Sequence, residues 1–234
     1  MPNERKADID RKLDAALEGT FPASDAVALS PEHQTITFYG DRRSGNCLKG
    51  LWVVERRGLY HRWIDVDIFK GESHTPEFLA MNPAGQVPVA ILPDGRALAQ
   101  SNAIMLYFAE GSDLIPADAY DRAKMHEWLF WEQYNHEPTI AVRRARIQFL
   151  KQAESELDPA LLTKGNACLA RMELQLKETP YLVGGALTLA DLALVAYTRW
   201  AHEGGYDLNQ FPAVKAWVAR VERDLNLEPA QEAA

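Results

Sequence analysis

Cysteine is scarce in this chain: Cys47 and Cys168 are the only two among 234 residues. Two thiols cannot staple a disulfide scaffold, and such sparing use fits a reducing cytosol. Long apolar runs are missing too. No segment approaches the roughly 18 residues that a membrane-spanning helix needs. The opening stretch, MPNERKADIDRKLDAALEG, is charged throughout and has no apolar h-region, so it does not read as a signal peptide. Positive charge is in deficit, with 25 Lys and Arg against 33 Asp and Glu and a net charge of -8. That balance argues against a nucleic-acid surface and against docking on an acidic membrane. Metal-site patterns are also lacking. HEWLF is not H-E-x-x-H, His126 and His136 stand ten residues apart, and no C-x-x-C occurs, so no metal is expected. Gly184-Gly185 and Gly204-Gly205 match no phosphate loop and read as turns. The expectation is a soluble cytoplasmic protein.

Apolar residues supply 47% of the sequence, enough for one large core or two smaller ones. Residues 1–33 read as an extension: Ile9, Leu13, Ala16 and Leu17 fall at helical spacing and Gly19 stops the helix. The Pro/Ser/Asp stretch TFPASDAVALSPE follows as a connector. The pattern then changes. TITFYG is a β-branched and aromatic run closed by glycine, and SGNCLKGLWVVERRG sets Cys47 with Leu51 and Leu48 with Trp52 at helical spacing. HRWIDVDIF alternates as a strand. QVPVAIL and RALA flank the turn PDG as a hairpin, and SNAIMLYFAEG closes as a helix capped by Ser101 or Asn102. The order βαβββα over residues 34–112 is that of a thioredoxin-like domain.

Beyond the linker DLIPAD, strand signals largely vanish. Five segments read as helices, giving an all-helical domain over 113–234. One helix is expected to end at the EP of Glu137-Pro138 and another to begin at Thr139. Thr188 and Asp191 form a capping-box pair ahead of an apolar run, with Asp in the place usually held by Glu. The fold class is therefore α/β plus all-α.

Pro88 sits where the third strand begins, although proline cannot donate to a ladder. A cis Val87-Pro88 bond explains it, since cis costs only about 0.5–1 kcal/mol before proline. Such a bond turns the N–H and C=O of Val87 out of the sheet, free to pair with an extended peptide. The alternative is a purely structural turn.

From about Thr35 to Leu225 the chain resembles the cytosolic glutathione transferases. The resemblance rests on FYGDRRSGNCLKG, PEFLAMNPAGQVPVAIL, ALAQSNAIMLYFAE, YLVGGALTLADLALVAY and FPAVKAWVARV, in that order and at those separations. It implies that the first domain binds glutathione through a cis-proline backbone site at Val87 and Pro88, and that the helical domain shapes the second-substrate pocket. It also implies a γ-glutamyl carboxylate at Ser101, where a helix begins and backbone N–H groups favour an anion. Gln100 would hold the amino group; the family often has Glu there, so this is a neutral version. Ser101 as a simple cap is the bland reading. His74 and Lys49 are candidates for the glycyl end, with a solvated loop histidine as the alternative for His74.

A thiol near pKa 8.5 is only a few per cent thiolate at pH 7, and lowering it by two units takes about 2.7 kcal/mol. A helix N-terminus plus one hydroxyl or amide donor is of that order. Ser44 and Asn46, in the first turn of SGNCLK, fit that task and are similar to the Thr/Ser-x-Asn pair of bacterial, nu-like members. Ser44 as a mere cap is the competitor, and Tyr39 lies before the loop. Cys47 resembles the mixed-disulfide thiol of omega-like members, but its register with Leu51 and Val54 favours core packing. Trp131 and Tyr134 would line the apolar second-substrate pocket. Arg143 to Arg146 read as a solvated face or as an anion contact. The expected function is activation of glutathione for attack on a small electrophile, peroxide or disulfide, in a homodimer. A binding protein of the same fold and a Cys47-dependent disulfide oxidoreductase are the alternatives.

Overall fold

The structure, a computed structural model, describes residues 35–230. The helix and connector expected in the extension lie outside the described residues. Among these residues no helix is long and apolar enough to cross a membrane. Nor do three or more His, Cys, Asp or Glu side chains cluster there as a metal site would require.

Among the described residues two compact units are present, one running to Asp41 and including Gly58–Gln100, the other Arg42–Arg57 with the residues from Ser101 onward. The first holds a four-stranded mixed sheet. Its strands are β1 (Ile36–Gly40), β2 (His61–Asp65), β3 (Val89–Ile91) and β4 (Ala97–Ala99), in the order β2-β1-β3-β4. β1 runs parallel to β2 and antiparallel to β3, with Phe38 opposite Trp63 on one side and Ala90 on the other. β2 stops at Asp65, short of the expected alternation, because Asp67 caps a 3-10 turn over Ile68–Lys70 by accepting from the Phe69 amide. A short helix, α2 (Pro76–Met81), was not foreseen. Its signal is local: Thr75 caps the Phe78 amide and Pro76 takes the first helical position.

Helices dominate the second unit: α1 (Gly45–Arg56), α3 (Ser101–Ala109), α4 (Ala119–Trp131), α5 (Val142–Gln148), α6 (Pro159–Glu178), α7 (Leu189–Thr198) and α8 (Pro212–Asp224). α1 and α3 group with this unit because the apolar face of α1 packs on both α3 and α7. The grouping therefore differs from the extents 34–112 and 113–234 read from the sequence. α7 is buried along its whole length.

The expected helix break at Pro138 does not occur. Glu132–Ala141 continues the helix as a π-type segment that joins α4 to α5 with Pro138 inside it. Proline has no N–H to give, and a widened turn absorbs both the missing bond and the ring. The same segment carries Glu132, His136 and Glu137.

Candidate functional site

In the sheet unit, the Val87-Pro88 bond is cis. Asn82 staples the turn that leads to it, donating to the Gln86 carbonyl at 2.7 Å and accepting from the Ala84 amide at 3.2 Å. Val87, Tyr39, Met81 and Ile91 pack around Val66, Phe78 and Val89. Tyr39 is thus a packing residue of the sheet. His74 is exposed, with Nδ1 3.1 Å from the Ser73 hydroxyl. Gly85 faces its ring so closely that a Cβ there would lie 2.9 Å from Nε2. Gln100 ends the unit exposed, at φ 71°. A left-handed backbone is uncommon for a side-chain-bearing residue and marks a position held by its surroundings. α3 begins at Ser101, so the place before the helix falls to Gln100 rather than to Ser101 or Asn102.

In the helical unit, Ser44 stands at the N-cap of α1 in an extended conformation, yet its side chain caps no amide. Its Oγ lies 3.2 Å from the Tyr197 hydroxyl, which also accepts the Asn46 backbone N–H at 3.2 Å. Gly45 makes this approach possible. A Cβ there would sit 2.6 Å from the Ala196 carbonyl oxygen of α7, closer than a side chain can be placed. The Asn46 amide bridges two further groups, donating Nδ2–H to Glu137 at 3.4 Å and accepting from the Ser101 hydroxyl at 3.3 Å. Ser44, Asn46 and Ser101 therefore belong to one connected set of polar groups. Burial pushes the Glu137 carboxyl above its ordinary range, and Glu132 adds to the effect.

Beneath lies a buried charged layer. Lys49 Nζ meets Glu132 Oε1 at 2.9 Å, with both side chains 0% exposed. Glu132 Oε2 accepts from Asn102 Nδ2 at 3.3 Å and from Gln133 Nε2 at 2.8 Å. His136 Nε2 is 2.9 Å from the Thr198 hydroxyl, whose single proton goes to the Leu194 carbonyl at 2.7 Å. The imidazole must therefore donate from Nε2, which leaves Nδ1 as a lone pair with no partner among the described residues. Burial holds the ring neutral, with its pKa lowered to about 4.

Several expectations need correction. Lys49 offers nothing to a glycyl carboxylate, because its ammonium is fully enclosed and committed to Glu132. Tyr134 is 84% exposed among the described residues, a solvent-facing side chain rather than an enclosed lining, whereas Trp131 is half-buried under the Arg171 guanidinium at 4.6 Å. Arg143 and Arg144 form neither a solvated face nor a free anion contact. Arg143 donates to the Gly204 carbonyl and Glu154; Arg144 binds Glu203 and the Arg43 carbonyl. Cys47 is 0% exposed, the packed thiol that its register suggested. Tyr197 and Glu137 escaped the sequence reading. Tyr197 sits in an apolar helical run with nothing local to distinguish it, and Glu137 sits beside a proline taken for a helix end.

Similarity to known proteins agrees with the fold. Residues 43–110 match the family described as glutathione S-transferase, N-terminal domain, and residues 130–224 match glutathione S-transferase, C-terminal domain. Glutathione S-transferase 3 of Zea mays is 32% identical over 194 residues, covering 78% of this chain and 86% of its own. A crystal structure of a glutathione S-transferase from Pseudomonas fluorescens Pf-5 shares 43% identity with a TM-score of 0.78, over 80% of this chain and 94% of that one. Ure2p in complex with glutathione shares 25% identity with a TM-score of 0.74, over 84% of this chain and 96% of that one. A thioredoxin-like sheet and an all-helical unit thus coincide with matches across both halves: the chain belongs to the glutathione S-transferase family.

Proposed function

We propose that the protein activates the thiol of glutathione as thiolate at Ser44, assisted by Asn46, for attack on a small electrophile, a peroxide or a disulfide. The observation that carries this reading is the Ser44 hydroxyl, which occupies the N-cap of α1 but is not spent on capping. An N-cap serine normally satisfies a first-turn amide. Here Tyr197 takes the Asn46 amide instead, so the serine oxygen is not drawn onto the helix end and its hydroxyl is left to meet a sulfur. Asn46 keeps one amide proton beyond the one given to Glu137.

The remaining contacts are assigned by family likeness and local chemistry. Val87, beside Pro88, would pair its backbone with the peptide, and His74 would meet the glycyl carboxylate. Gln100 would hold the γ-glutamyl amino group. Ser101 and the amides opening α3 would take the γ-glutamyl carboxylate, and Trp131 would contribute to the second-substrate pocket. Cys47 as a mixed-disulfide thiol is disfavoured, because a fully buried thiol cannot meet a disulfide. Two buried cysteines that form no disulfide suit a reducing cytoplasm, where the enzyme would serve detoxification. We also place it as a homodimer. Sedimentation at micromolar concentration should give twice the 26.3 kDa chain mass, and a single-chain mass would refute the assignment.

Ser44→Ala tests the chemistry. Losing one charge-assisted hydrogen bond should raise the pKa of bound glutathione by about one to two units. Affinity for S-methylglutathione should stay unchanged, because carboxylate and backbone contacts remain. Asn46→Ala should shift the pKa less, in the same direction. A silent Ser44→Ala, together with loss of turnover in Cys47→Ala, would transfer the role to the cysteine.

A further inference from the structure

The direction of the Ser44 proton is set by a residue far along the chain. Tyr197 is 6% exposed, and its oxygen has two neighbours among the described residues, the Asn46 N–H and the Ser44 hydroxyl, each at 3.2 Å. The amide can only donate, so it uses a lone pair of the phenol. The phenol's single proton then has one acceptor in reach, Ser44 Oγ. With the bond reversed, the phenol proton would be buried without a partner, at a cost of about 1–3 kcal/mol. Ser44 is half-buried, so its own proton has an outward path. The bond therefore runs from Tyr197 to Ser44.

We propose that Tyr197 is a positioning residue for thiol activation: its hydroxyl fixes Ser44 Oγ as an acceptor and leaves the serine proton aimed at the glutathione sulfur. The inference rests on Ser44 being the donor to the thiol. Three observations support it besides the hydrogen bonds. Gly45 admits the α7 backbone, so the contact is built into the meeting of two helices. Burial raises the Tyr197 phenol far above its ordinary range, so it keeps its proton at any working pH. A serine that accepts from a phenol is also polarised into a stronger donor, since linked hydrogen bonds reinforce one another. The groups facing this turn within the helical unit are Glu137, held through Asn46, the buried Cys47, and Arg144, which binds the Arg43 carbonyl.

The test is ultraviolet titration of bound glutathione in Tyr197→Phe, Ser44→Ala and the double variant. Tyr197→Phe should raise the thiol pKa by about half a unit to one unit and leave S-methylglutathione affinity unchanged. In the Ser44→Ala background the same change should have a clearly smaller effect, because Tyr197 acts on the thiol chiefly through the serine. Equal effects in both backgrounds, or weakened S-methylglutathione binding, would reduce Tyr197 to a structural residue and overturn the inference. If Tyr197→Phe does not fold, 3-fluorotyrosine in place of Tyr197 decides. A stronger donor of nearly the same shape should lower the thiol pKa, and an unchanged or higher value overturns the proposal. A silent Ser44→Ala would remove the thiol assignment and this inference together; a silent Tyr197→Phe beside an active Ser44→Ala removes only this inference.

Discussion

Replacing Lys49 by methionine should cost about 3–5 kcal/mol of folding free energy, the range found when one partner of an enclosed ion pair is removed. Lys49 and Glu132 are 0% exposed at 2.9 Å, and Glu132 is further held by Asn102 and Gln133. Lys49→Met strands the carboxylate in a medium that cannot solvate it. Domains of this kind are stable by only about 5–15 kcal/mol in all, so the variant should populate unfolded chains under mild denaturant. The loss should deepen as pH rises. Glu132 raises the proton affinity of His136 and Lys49 lowers it, against a burial that brings the pKa to about 4. Without the lysine, the folded state takes up a proton on His136 more readily, and that relief fades as pH increases. Lys49→Met/Glu132→Leu should recover most of the stability, because nothing charged is left behind. Urea unfolding of the two singles and the double settles the matter. A Lys49→Met loss below about 1 kcal/mol, the worth of an exposed pair, would mean that water reaches it.

Asp191→Ala should be comparably severe. The carboxylate, 0% exposed, accepts from the Leu182 amide, the Thr188 amide, the Thr188 hydroxyl and the Trp217 indole at 2.9 to 3.1 Å. It thereby ties the loop before α7, the start of α7 and the face of α8 to one atom group. Each buried donor left unpaired costs about 1–3 kcal/mol. A total loss of about 4 kcal/mol or more would place the variant among the exceptional single substitutions. Burial pushes this carboxyl up while the four donors pull it down. Asp191→Asn should rescue little, because its NH₂ would face N–H donors. Thermal unfolding is the readout. A loss near 1 kcal/mol, as for an ordinary helix cap, would show that the bonds to Leu182 and Trp217 contribute nothing.

Features that depend on neighbours in sequence were legible without a structure. The type of almost every element follows from apolar spacing, and the Thr188-Asp191 capping box is a local signature that the structure contains. The missed α2 was also local, since Thr75 and Pro76 announce it. The glutathione transferase family could be read from five short stretches in order. The serine at the first helix turn was visible for the same reason.

What the sequence could not supply are the pairings between distant residues. Tyr197 reaches Ser44 across 153 positions, and Lys49 meets Glu132 across 83. No periodicity encodes such pairs, because a tyrosine in an apolar helix and a lysine in an amphipathic one look ordinary until the helices are packed. Lysine has a strong prior for solvent, and only enclosure beside a carboxylate reverses it. Proline has a strong prior for ending helices, and only the widened turn around Pro138 overrules it. The sequence thus determined which residues stand at the first turn of α1. Tertiary structure decided which of their protons are already spent, because that depends on how closely Gly45 lets two helices approach.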